Sequence, residues 1–283
     1  MHSCVVLWGF TAILGKLITL PALSLVWWRM VIVVAAAALF PAFWRGLRRM
    51  NGRTVAIFAG IGALVSLHWL TFYGAIKLSN ASVAASCMAL TPVFTSCIEP
   101  WFTRSRFDAR ELLIGVAAIP GVMLVVGGTP AGMRSGIIAG VLSAVMVSIF
   151  GTLNKRYVHA GDPLTVTGVE LAAGTVFLTL VAWLVPQAGA MPALPGLHDA
   201  ILLAVLALLC TLFPFWLALI ALKRLSAFSA QLAVSLEPVY AIVLAMVLLA
   251  EQRELGLAFY LGVAVILGTV FVHTVLKLRT AVS

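Results

Sequence analysis

The stretch Ala75–Phe94, AIKLSNASVAASCMALTPVF, returns 146 residues later as Ala221–Tyr240, ALKRLSAFSAQLAVSLEPVY. The two copies share Ala75/Ala221, Lys77/Lys223, Ala81/Ala227, Ala84/Ala230, Leu90/Leu236, Pro92/Pro238 and Val93/Val239 without a gap, and Phe94/Tyr240 adds an aromatic pair. Alanine and leucine matches between apolar segments carry little information. The Lys and Pro matches, 15 residues apart in both copies, carry more. The displacement is about half the chain, far longer than the roughly 20–50 residues of a solenoid repeat. It predicts two homologous halves, 1–130 and 131–283.

What kind of halves they are follows from the solvent they need. The chain is 63% hydrophobic and 10% charged, with a mean hydropathy of +1.14. A water-soluble domain of this size does not carry such a composition, so the expectation is an all-α integral membrane protein. Ten apolar segments can be drawn, at 3–20, 22–44, 53–75, 81–101, 111–128, 134–153, 163–185, 199–221, 227–249 and 255–276. Each has about the 20 residues that cross a hydrocarbon core of roughly 30 Å. The first could be mistaken for a signal peptide, but no Lys or Arg precedes it. The leader before it is very short, which leaves an upstream start as an expectation.

Thirteen Lys and Arg fall on one side of these spans (Arg45, Arg48, Arg49, Arg53, Arg104, Arg106, Arg110, Lys155, Arg156, Lys223, Arg224, Lys277, Arg279), against four on the other (Lys16, Lys77, Arg134, Arg253). The net charge of +9 is therefore a topology signal rather than a nucleic-acid footprint, and it places both termini in the cytoplasm. Lys77 and Lys223 then lie on opposite sides. Five helices per half is an odd number, so the second half is inverted relative to the first, about a pseudo-two-fold axis in the membrane plane. Substrate sites in such folds lie near the midplane.

The ionisable groups within spans are few, and each marks a cavity or a partner. Glu237 lies about 15 Å into its helix by the helical rise. It reads as a carboxylate lining a cavity for a cation or a proton, or as one held by neighbouring helices. Pro238 after it, and Pro92 in the first copy, predict symmetric helix kinks. Arg29 lies roughly 10 Å in from one face and Glu170 roughly 10 Å in from the other. Arg29 suits a bidentate substrate carboxylate, or snorkels to headgroups. His68 is a packing residue or a proton site. Trp69, with Phe72 and Tyr73, forms an aromatic wall or an interfacial belt. Glu99 reads as an interfacial partner of Arg104, and His273 and Lys277 as anchors. The glycines of Gly136-Ile137-Ile138-Ala139-Gly140 permit close helix packing, within one chain or between two.

Trp8-Gly9, Arg29, Tyr73-Gly74-Ala75-Ile76-Lys77, Leu236-Glu237-Pro238 and Ala250-Glu251 occur in that order across the ten segments. In this pattern the chain resembles the EamA family of the drug/metabolite transporter superfamily, over essentially its whole length. The resemblance implies a secondary carrier, often an exporter of amino acids or other small metabolites across a bacterial inner membrane. One departure is Ala250, where the family often has glycine. Another is the lack of a Glu in Thr103-Arg104-Ser105-Arg106, after the fourth segment.

The leading expectation is an inverted-repeat transporter with a cavity lined by Arg29, His68, Trp69, Glu170 and Glu237, for a small-molecule substrate with or without proton coupling. A lipid or lipid-linked sugar flippase is the alternative within the class. An intramembrane lipid-modifying enzyme is the alternative outside it, disfavoured because no GxSxG, HExxH or P-loop pattern occurs. No cofactor, metal or nucleic acid is expected. Cys4, Cys87, Cys97 and Cys210 fall in apolar runs without ligand spacing and read as small core residues. The sequence carries no reading of oligomeric state.

Overall fold

A computed structural model of the chain describes residues 1–103, 117, 119–184, 193–225, 230, 233–234 and 236–282. Every regular element among them is a helix. That is what apolar runs in lipid dictate, because a helix satisfies its own backbone where no water can. In order these are α1 (His2–Leu17), α2 (Ala22–Ala38), α3 (Pro41–Arg49), α4 (Gly52–Leu78), α5 (Ala81–Met88), α6 (Thr91–Thr103) and α7 (Ile119–Gly128). Then come α8 (Arg134–Tyr157), α9 (Pro163–Leu184), α10 (Leu197–Ala207), a π-helical turn (Leu208–Leu212), α11 (Phe213–Leu222), α12 (Glu237–Leu249) and α13 (Leu257–Val282).

The ten expected spans are met only in part. Among the described residues five helices are long and apolar enough to cross a membrane, 52–78, 81–103, 131–157, 163–184 and 197–222, or six if α2 and α3 count as one broken span. Ser3–Leu17, Glu237–Leu249 and Leu257–Thr269 are shorter apolar helices in places where spans are expected. The fifth expected span is described chiefly over α7. Arg104, Arg106 and Arg110, and the side chains of His273 and Lys277, lie outside the described residues.

The second span departs most from expectation. It stops at Ala38, and the chain turns by 91° into α3. Pro41 is the cause: it disfavours helix at Phe40, which is extended (φ −91°, ψ 122°). Pro41 then opens the new helix, where its missing N–H costs nothing. Helix α3 buries Phe43 and exposes Arg45, Arg48 and Arg49, the pattern of a helix lying along an interface.

The prolines of the repeat act in the same way. Pro92 is the second residue of α6, after a turn at Ala89-Leu90, and Pro238 is the second residue of α12. Each begins a helical segment rather than bending one in its middle.

The two halves pack by exchange. In the first direction α1 packs on α10, the π turn, α11 and α12. In the other, α8 packs on α4, α5 and α6. Corresponding helices also meet, α2 on α9 and α7 on α13. Close approach is bought with glycine at two crossings. A Cβ at Gly62 of α4 would overlap the carbonyl of Glu170 on α9. A Cβ at Gly136 or Gly140 of α8 would strike Ser79 or Cys87, so the GxxxG contact lies within this chain.

Candidate functional site

Arg29 is held at the centre of the bundle, 2% exposed. A bare guanidinium there would be prohibitive, and three neighbours make it tolerable. Its Nε donates to Thr211 Oγ1 (2.6 Å) and one terminal nitrogen donates to Tyr73 Oη (2.8 Å). Its planar head lies over the Trp69 ring, 3.8 Å from the centroid, a cation–π contact. Thr211 is available because of the π turn: its hydroxyl donates to the carbonyl of Leu206 (2.6 Å), leaving its oxygen free to accept from Arg29. Tyr73 is seated against Gly15, where a Cβ would overlap its ring. Among the described residues two of the five N–H bonds of a guanidinium are thus engaged and three are not. Arg29 does not snorkel.

His68, on α4 one residue before Trp69, is also buried. Its Nδ1 lies 2.7 Å from Ser143 Oγ and 3.0 Å from the Ser143 carbonyl, while the Ser143 hydroxyl donates to the His68 carbonyl (2.8 Å). With the hydroxyl proton so directed, Nδ1 carries the ring proton and Nε2 is the free acceptor. The ring stands between Phe72 and Phe150, with centroids at 6.2 and 5.4 Å. Trp69, Phe72 and Tyr73 are buried, so they form an internal aromatic wall and not a lipid-facing belt.

Glu237 opens α12 and is half-buried. It makes no ion pair with Arg29 at N–O distances within 4.0 Å, yet the two charges sit within electrostatic reach. Glu170 is fully buried on α9 beside the Asn154 side chain, and among the described residues neither of its oxygens has a partner at close hydrogen-bond geometry.

A cavity of about 120 Å³ lies among these helices. A single water needs roughly 10–15 Å³ on this measure, so the space suits several waters or a small metabolite. Of the five residues expected there, Arg29, His68, Trp69 and Glu237 line it. Glu170 is not among the lining residues; Asn154, its neighbour on α8, is. The rest of the wall is mostly apolar, including Phe72, Phe150 and Phe215, with Thr11 and Thr91 as further polar points. Few convergent polar groups on an apolar wall is the usual make-up of a small-molecule site.

Sequence reasoning missed Thr211, Asn154, Thr11 and Thr91. They are neutral polar residues in apolar runs, and most such residues in these helices only back-bond to their own turn, as Thr71, Ser86 and Thr175 do. The closeness of Phe213-Pro214 after Thr211 was the one local hint of an irregular turn. Among the described residues no group of three or more His, Cys, Asp or Glu could hold a metal ion.

The family model described as "EamA-like transporter family" matches this chain twice, over residues 2–127 and 134–275. A search of curated proteins gives no match. A solved crystal structure is similar with a TM-score of 0.67 and 19% identity, over 98% of this chain and 96% of the other. That likeness extends to the fold.

Proposed function

This chain belongs to the EamA-like transporter family, within the drug/metabolite transporter superfamily, and on that premise we propose that it exports a small zwitterionic metabolite, such as an amino acid. It does so across the bacterial inner membrane, by alternating access between two inverted five-helix halves. Both termini face the cytoplasm in this reading, on the side that carries the excess of Lys and Arg.

One observation carries the substrate class. The cavity is lined by a guanidinium with three N–H bonds unengaged among the described residues and by a carboxyl group, the two not paired with each other. A substrate carboxylate takes the fork of Arg29, and a substrate ammonium takes Glu237. The two are then neutralised by the ligand instead of by one another, which relieves the cost of burying each. The aromatic wall receives the apolar part of the substrate.

The test is the extracellular metabolite profile of cells making the wild-type protein, against cells making Glu237→Gln at matched membrane levels. Amino acids enriched only by the wild type support the reading. No difference under varied feeding counts against metabolite export, and uptake and lipid-flipping assays follow.

A further inference from the structure

The strongest unexplained feature lies one layer behind the cavity. Among the described residues both carboxylate oxygens of Glu170 are buried without a partner at close hydrogen-bond geometry, the Asn154 amide being their polar neighbour, and Oδ1 of Asn154 is buried without one too. Thr167, one turn earlier on the same face of α9, also has an unpartnered hydroxyl. Buried polar groups are normally paired, and each exception asks for a reason.

Among the described residues the surroundings supply no counter-charge. Helices α2, α3, α4 and α11 pack on α9. On α2, Arg29 is turned to Thr211 and Tyr73. On α3, Arg45, Arg48 and Arg49 are exposed. On α4, Arg53 is exposed, His68 is bound to Ser143, Tyr73 to Arg29, and Lys77 donates to the carbonyl of Ile18. Helix α11 carries no charged residue. On α8, which carries Asn154, Lys155 donates to the carbonyls of Leu222 and Leu225, and Arg156 to that of Phe102. What Glu170 meets is the backbone of α4 at Gly62 and the side chain of Asn154.

Among the described residues the polar company of the Glu170 carboxyl is thus one neutral amide, Asn154, whose Oδ1 still lacks a donor, and no cation. An ionised carboxylate so placed is the most costly group to bury, and it neutralises instead. We propose that Glu170 is a proton-binding site of the transport cycle, held as a carboxylic acid whose O–H donates to Asn154 Oδ1, with Asn154 separating it from the central cavity. Asn154 also lines that cavity. A turn of its side chain brings the acid to cavity water, which takes the proton as hydronium and leaves the carboxylate; the reverse step reloads it. The inference rests on reading the protein as a secondary transporter, and it adds the residue that couples transport to protons.

Two measurements test it separately. The first is the infrared spectrum of the purified protein in bilayers at neutral pH. A carboxylic-acid carbonyl band is expected that Glu170→Gln removes and Asn154→Leu shifts. Spectra of wild type and Glu170→Gln without that difference overturn the proposal. So does a site filled by sodium, seen as sodium chloride raising the melting temperature of wild type but not of Glu170→Gln. The second measurement uses proteoliposomes loaded with an equimolar amino-acid mixture and a pH-sensitive dye. Amino-acid efflux from the wild type is expected to depend on an imposed proton gradient, and Glu170→Gln is expected to exchange amino acids without that dependence. Gradient dependence that survives in Glu170→Gln overturns the coupling role. If the wild type moves no amino acid, the proposed substrate class fails while the infrared result still decides the protonation of Glu170.

Discussion

Glu251 caps the first turn of α5 through Ser82. One of its oxygens accepts from both the backbone N–H (2.8 Å) and the hydroxyl (2.7 Å) of Ser82, and the other accepts from the N–H of Ala81 (3.0 Å). The carboxylate sits at the positive end of the helix, where its charge is favoured. Ser82 belongs to the first half and Glu251 to the second, so the cap is a tie between halves. At the same end, Thr19 donates its N–H (2.9 Å) and hydroxyl (2.7 Å) to Asp199, and Asn80 Nδ2 donates to Glu254 (3.0 Å).

Breaking the Glu251 cap leaves three buried donors without an acceptor. Glu251→Gln keeps the shape and loses the charge. Hydrogen bonds to charged groups contribute about 1.5–3 kcal/mol each, so it lowers stability by an amount of that order and Glu251→Ala by more. Thermal unfolding of the purified protein in detergent measures this. Equal melting temperatures for all three proteins would remove the cap from the account.

Ala250, just before that cap, has φ 54° and ψ 29°, in the left-handed region. A residue with a Cβ loses roughly 1–2 kcal/mol there. Glycine avoids that cost but loses about 0.5–1 kcal/mol more chain entropy on folding. The first effect is larger, so Ala250→Gly raises the melting temperature slightly. Ala250→Val, with a branched side chain, lowers it. The reverse order would show that the turn is not held as described.

Gly62→Ala sets a methyl group against the carbonyl of Glu170 and forces α4 from α9. Gly60→Ala, on the same helix, meets nothing within 4 Å. The first is expected to lower the yield of folded protein sharply. The second is expected to be neutral or to stabilise by up to about 1 kcal/mol, as glycine is a poor helix residue. Size-exclusion profiles of the two variants at matched expression make the comparison, and similar losses in both would contradict the packing.

Arg29→Lys keeps the charge and loses the fork. A lysine ammonium is a point charge that cannot bridge Thr211 and Tyr73 while presenting a planar face to Trp69. Transport should fall at least about tenfold, the equivalent of some 1.4 kcal/mol, since one charged hydrogen bond contributes that much or more. Tyr73→Phe removes one acceptor and should produce a smaller loss. Efflux rates at equal membrane levels check both, and full activity in Arg29→Lys would exclude bidentate recognition.

Much of the cavity lining was legible because charge is scarce in this chain. Arg29, His68, Trp69 and Glu237 stood out against apolar runs, and the structure brings all four to one cavity. Glu170 stood out equally and lies behind Asn154 instead. A carboxylate on a helix that is apolar all round gives no sign of which way it faces, because no polar stripe fixes the rotation of the helix. Of the ten expected spans five or six are long and apolar enough among the described residues, and the breaks were not legible. Pro41 lay within the second expected span, and only the 91° turn into α3 shows that it ends there.

The amino-acid sequence by itself determined that the chain must satisfy its backbone in lipid, that it is built from a duplicated unit, and where its rare charges and prolines fall along the helices. Those are properties of composition and linear order. Tertiary structure decided which of these meet. Arg29 finds Thr211 across 182 residues because a π turn frees that hydroxyl. Glu251 finds Ser82 across 169. Such contacts depend on how each helix is rotated and how closely glycines let it approach, and both are set by packing between the two halves.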